Sequence, residues 1–118
     1  MDQVYVIELG MGADLHGQDV TKAAVRAVRN AIGHNSLPGM RTIVGGDSSK
    51  MKVNVRLAVP CDADKLDVSA VKAVLPYGEV TVEVVSGGML TDHGVFLPDK
   101  GDRTGQIYIV NAAVEVGI

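Results

Sequence analysis

Residues 4–17 read Val4-Tyr5-Val6-Ile7-Glu8-Leu9-Gly10-Met11-Gly12-Ala13-Asp14-Leu15-His16-Gly17. The first six form an apolar run rich in β-branched residues, broken only by Glu8, and predict a buried strand, Val4–Leu9. The next eight carry three glycines, Gly10, Gly12 and Gly17, around an Asp and a His, which predicts a loop, Gly10–Gly17, at a strand-to-helix junction. Asp19 then suits the N-cap of a helix, Val20–Ile32. Val20, Ala24, Ala27, Val28, Ala31 and Ile32 share one face, with Lys22, Arg26 and Arg29 on a solvated one. Gly33 is expected to supply a left-handed C-terminal cap. A strand feeding a loop and an amphipathic helix in this way is half of a β-α-β unit.

Outward from this start, Asn35–Ser49 is punctuated by Gly, Ser and Pro, with Arg41–Val44 as a candidate extended piece. Met51–Val59 alternates: Met51, Val53, Val55, Leu57 and Val59 face one way, Lys52, Asn54 and Arg56 the other, until Pro60. Asp67 can cap a second helix, Val68–Leu75, stopped by Pro76. Val80–Val85 alternates against Glu79, Thr81 and Glu83. After Ser86-Gly87-Gly88 comes a long loop to about Thr104 and a last strand, Gln106–Val116. The order β-α-β-α-β-β over a single domain, residues 1–118, predicts an α/β (α+β) fold: a mixed four-stranded sheet with two helices on one face. A ferredoxin-like sheet is the alternative and needs Arg41–Val44 as a full strand.

Two helices cover one face of such a sheet. The first and last strands are nevertheless apolar on both sides, with Tyr5, Ile7 and Leu9 opposing Val4 and Val6, and Ile107, Ile109 and Ala113 opposing Tyr108, Val110, Ala112 and Val114. A single chain leaves that second face in water, and its burial against further copies is the simplest remedy. A homo-oligomer is expected.

Composition narrows the function classes. Apolar residues make up 47% of the 118, with one Phe, three Tyr and no Trp, so the core is aliphatic. A net charge of −3 without a basic cluster argues against a nucleic-acid groove. The one cysteine, Cys61, fits a reducing compartment. No apolar run approaches the roughly 20 residues of a membrane span, and the N-terminus lacks a signal-peptide pattern. A cytoplasmic protein is the expectation.

The glycine stretch is no dinucleotide fingerprint, because Leu15 stands where its third glycine would fall, and no Gly-Lys-Ser/Thr follows. Asp14 and Asp19 disfavour a phosphate at the helix start. No cofactor is therefore expected. Asp14 beside His16 suggests an imidazole oriented for proton transfer, against the plainer reading of an Asx-turn and a packed ring. Asp92-His93-Gly94 forms a second pair in the long loop, and both loops follow strand C-termini, where sites gather in open sheets. Two His and two Asp raise the possibility of a divalent metal, but their spacing matches no established ligand pattern, and no metal site is assigned. Ser86 is a candidate nucleophile that lacks a visible base. Lys52 and Arg56 read as a charge ladder with Glu79 and Glu83, with Arg56 kept open as a ligand-holding group. His34, past the helix end, is explained by the helix dipole.

The motif Gly-x-Gly-x-Asp-x-His-Gly at residues 10–17 resembles the N-terminal signature of a small uncharacterised family of bacterial and plant proteins, a likeness that runs along the whole chain. The element order also resembles the chorismate-mutase-like fold of trimeric chorismate mutases and reactive-imine deaminases. That resemblance implies a trimer with sheets facing a common centre and sites between subunits. Val53-Asn54-Val55-Arg56 and Ser86-Gly87-Gly88 are similar to segments of the cyanuric acid hydrolase and barbiturase family, where a lysine on the first and a serine on the second form a dyad. Arg56 replaces that lysine here, and arginine stays protonated and makes a poor base.

Two functions follow as expectations. The first is an enzyme or binder of a small carbonyl or amide compound, with sites between subunits. His16 would be its acid/base, Asp14 its orienting group and Ser86 a further catalytic candidate, while Gly10, Gly12, Gly17, Arg56, Gly87, Gly88 and His93 would approach the ligand. The second is a non-catalytic assembly or regulatory module.

Overall fold

The computed structural model describes residues 1–118. Five strands form one mixed sheet: β1 (Val4–Asp14), β2 (Lys52–Val59), β3 (Glu79–Ser86), β4 (Met89–Asp92) and β5 (Gln106–Gly117). Their order is β1-β5-β2-β3, with β4 on β5. β2 and β3 run parallel, while β5 lies antiparallel to β1 and β2 between them. β1 and β2 thus point the same way, as a β-α-β unit split by the last strand.

Three helices accompany the sheet: α1 (Val20–Ile32), α2 (Pro38–Ile43) and α3 (Val68–Lys72). The bounds of α1 are those its amphipathic pattern predicts. Asp19 caps it by accepting from the Thr21 and Lys22 amides. The expected left-handed cap is corrected: Gly33 sits at φ −73°, ψ −12°, and its amide closes on the Arg29 carbonyl as one more helical turn. The Arg41–Val44 region is helical at the end of α2 rather than extended, begun by Pro38 in the first turn, where a missing N–H costs nothing. That removes the strand a ferredoxin-like sheet required. α3 stops at Lys72, three residues short of expectation, though Asp67 caps it as predicted.

The main correction concerns β1, which does not end at Leu9. It pairs with β5 through Gly10↔Ala112, Gly12↔Val110 and Asp14↔Tyr108, so most of the expected glycine loop is strand. The glycines serve packing. A Cβ on Gly10 would run into the Ala27 and Ala31 backbone of α1, and one on Gly12 into that of Ala23 and Ala27. Ala23, Ala27 and Ala31 recur every four residues and are fully or almost fully buried. Glycine in the strand and alanine in the helix let the two backbones approach closely.

The core lies between the sheet and the helices. It joins that alanine row to Val53, Val55, Leu57 and Val59 of β2 and Val110, Ala112, Val114 and Val116 of β5. Only 25 of 118 residues are buried, since one sheet face has no cover. On that face Tyr5, Ile7, Leu9 and Met11 of β1 are exposed, Leu9 by 73%. Across the sheet the same face turns polar: Arg56 bridges Glu83 and Glu115 at 3.1 Å each, and Asn54 joins Glu115 to Thr81. Of the expected charge ladder the Arg56–Glu83 rung forms, with Glu115 added, while Lys52 stands level with Glu79 without an ion pair. The open face is therefore half apolar stripe and half ion-pair lattice. No helix is long and apolar enough to cross a membrane.

Candidate functional site

β1 ends where its chain must turn into α1, and buried polar groups organise that turn. Asp14 closes the strand. Its Oδ2 accepts from the Asp19 amide at 2.8 Å, and its Oδ1 lies 3.5 Å from Arg26 Nη1, which also donates to the Ala13 carbonyl. Asp14 thus fastens the strand end to the helix start. It is not the partner of His16.

The His16 partner comes from the far end of the sequence. His16 Nδ1 stands 2.6 Å from Asp102 Oδ2. Asp102 follows a 3-10 turn, Pro98–Lys100, and a left-handed Gly101 at φ +83°. Its side chain is buried and also accepts from the Gly17 amide at 2.7 Å, Gln18 Nε2 at 3.0 Å and the Leu97 amide at 3.0 Å. Burial alone would raise its pKa. The hydrogen bonds from His16, the two amides and Gln18 outweigh that and hold the carboxyl well below the usual carboxylate range. A permanent carboxylate there requires the proton of neutral His16 on Nδ1, leaving Nε2 as the free nitrogen.

Gln18 locks the loops together. At φ +49° and buried, it donates Nε2 to Asp102, to the Thr104 carbonyl and to the Gln106 carbonyl, while its Oε1 accepts from the Arg103 amide. His93, just past β4, packs its ring edge-to-face on His16 with centroids 4.8 Å apart. Its Nε2 lies 3.2 Å from the Leu15 carbonyl. Leu15, Val95 and Phe96, close in sequence to the two histidines, are exposed. Beside the dyad, Gly17, Gln18, Asp19, Asp62 and Lys65 line a shallow cleft of about 220 Å³. Tyr108 donates to Asp62 there at 2.8 Å, and burial together with Cys61 and Asp62 pushes its phenol well above its ordinary value.

The whole chain has relatives of this shape. Residues 4–116 match a family described as conserved hypothetical protein (Lin0512_fam). The chain belongs to that family. It is also similar to a crystal structure from Nostoc punctiforme described as an FtsZ-like protein of unknown function. That likeness has 43% identity and a TM-score of 0.86, covering 97% of this chain and 93% of the other. Comparison with curated proteins gives no match. The expectation of an uncharacterised family is met, and no relative brings an assigned activity.

In this Lin0512 family member, His16, Gly17 and His93 meet in one place, as the reading of two Asp/His loops anticipated in part. Gly10 and Gly12 are turned to α1. Arg56 is held on the open face by Glu83 and Glu115. Ser86 pairs with Val59 of β2, so β2 and β5 separate β3 from β1, about 14 Å at strand spacing. Within one chain Ser86 and His16 do not share a site. Gly88, at φ +64°, lies against the Ala58 and Ile109 backbone where the chain crosses from β3 into β4, a strand the sequence reading treated as loop. Asp102 and Gln18 were missed. Only a Gly-Asp step after a Pro-started turn marked Asp102, and nothing local linked it to a histidine 86 positions earlier.

Proposed function

We propose that the protein is a small-molecule enzyme or binder in which His16, held by Asp102, moves a proton at Nε2. The 2.6 Å contact between His16 Nδ1 and a buried carboxylate that keeps its charge carries the reading. The carboxylate fixes tautomer and ring direction and stabilises the imidazolium once Nε2 has taken a proton. The substrate class this suits is a small carbonyl or amide compound. Its reaction would be hydrolysis through a water activated by His16, or proton transfer at carbon next to the carbonyl. The site has a side-chain acid/base and no adjoining nucleophile in the same chain.

The exposed side chains of Leu15, Val95 and Phe96 and the exposed stripe of β1 support an assembly of copies, a trimer in this proposal, that roofs the dyad. A neighbouring copy is also the one route by which Ser86, Gly87, Gly88 or Arg56 joins it. A panel of small carbonyl compounds in heavy water, followed by NMR for deuterium uptake and hydrolysis, tests the chemistry. Conversion should fall by about 10²- to 10⁴-fold in His16→Asn. Wild type and His16→Asn behaving alike across the panel would overturn it. The second reading, a non-catalytic assembly module, rests on the uncovered sheet face. It predicts that neither protein shows conversion and that the assembly alone responds to substitutions on β1.

A further inference from the structure

At the opposite end of the sheet from His16 lies a cavity of about 240 Å³ between the end of α1, the chain after α3 and the starts of β2 and β3. Ile32, Leu37, Val53, Leu75, Val114 and Val116 supply its apolar walls. Glu8 opens onto it from the inward row of β1, in which Val6, Gly10 and Gly12 serve packing. Glu8 is 5% exposed. Its Oε2 accepts from Asn35 Nδ2 at 2.8 Å, and Asn35 gives its remaining hydrogen to the Ala31 carbonyl at 3.0 Å. No side chain donates to Oε1.

The contrast with Asp14 is instructive. Both carboxylates are buried in the same inward row, yet Asp14 has the Arg26 guanidinium beside it, while Glu8 has no basic side chain within ion-pair distance and none lining its cavity. Oε1 is open to the cavity rather than sealed in the core, and a carboxylate with one neutral donor among hydrocarbon walls is poorly solvated, a cost that a valine in the row would not carry. The C-terminal end of the 13-residue α1 borders this cavity at Ile32, which puts the negative end of a helix dipole on the same side as the carboxylate. The site repels anions and favours a cation. One carboxylate is too few donors for a metal ion, and the walls are hydrocarbon.

We propose that this cavity binds a small organic cation, an amine whose ammonium group pairs with Glu8 Oε1 while its apolar body lies against Val53, Leu75 and Val114. The volume admits a body of roughly ten non-hydrogen atoms at interior packing density. Exposed Tyr77 stands at the mouth. The site is independent of the His16 dyad and of any assembly on the open face.

The test titrates the full chain near neutral pH with 2-phenylethylamine and with its neutral counterpart 2-phenylethanol, following methyl NMR signals. The amine should shift the methyls of Val53, Leu75 and Val114 and bind at least about tenfold more tightly than the alcohol, the worth of one charge-assisted contact. Glu8→Gln should erase that preference and leave alcohol binding within about twofold, as removal of one charge at constant shape requires. Equal binding of the two probes, shifts confined to residues outside the cavity, or an amine preference surviving in Glu8→Gln would each overturn the proposal. The wild-type comparison of the two probes decides the matter even if Glu8→Gln fails to fold.

Discussion

Asp102 gathers four donors onto one buried carboxylate, and each of them belongs to a segment distant in sequence or to a turn with left-handed geometry. Its charge therefore does two jobs: it orients His16, and it clamps residues 15–18 to 97–106. A carboxyl whose folded pKa lies below its unfolded value of about 3.9 adds stability above that value and loses it as pH falls toward the folded pKa. Urea midpoints measured from pH 7 down to about pH 2 should accordingly drop more steeply in wild type below about pH 4 than in Asp102→Asn. The variant should be the less stable protein at pH 7. Identical acid limbs for the two would show that the clamp contributes no proton-linked stability. Arg56 teaches the opposite lesson. Its two carboxylate partners lie on a half-exposed face, and Arg56→Ala should cost no more than about 1 kcal/mol.

At the scale of elements, the contact between β1 and α1 governs the fold. Gly10 and Gly12 meet helix backbone, which cannot swing aside as a flexible side chain could. Gly12→Ala should destabilise the protein by at least about 1–3 kcal/mol through overpacking, read as a lower urea midpoint with unchanged slope. Gly39 in α2 provides the control, for nothing lies within 4 Å of an added Cβ and its φ is not positive. Gly39→Ala should instead raise stability by up to about 1 kcal/mol by restricting the unfolded chain. A Gly12→Ala protein as stable as wild type would mean that helix and strand can part without penalty.

For the molecule as a whole, the uncovered face is the salient feature. Tyr5, Ile7, Leu9 and Met11 make an apolar stripe on an edge strand, which in an isolated chain invites association. Sedimentation should find wild type as an oligomer at micromolar concentration and Leu9→Lys shifted toward monomer. Leu9 is already 73% exposed within the chain, so its helix-side core should stay intact and the circular dichroism spectrum unchanged. A monomeric wild type would remove the shared-site part of the proposed function while leaving the dyad within one chain.

Much of this architecture was legible in local pattern. Periods of 3.6 and 2 residues marked α1, β2, β3 and β5, and two-sided apolarity in β1 and β5 marked the face that α1 leaves bare. Those signals depend on neighbours a few residues apart, which a sequence displays directly. Tertiary structure decided the rest. Whether Gly10 and Gly12 turn a loop or admit a helix depends on what packs against them, so the strand ran on to Asp14 where glycine suggested an end. β4 had only a short edge pairing to declare it. Above all, His16 had a carboxylate two residues away in Asp14 and took another 86 residues away, because Asp14 was already spent on Asp19 and Arg26. A short sequence spacing proposes a hydrogen bond, but competition among all the donors that folding brings together decides which one forms.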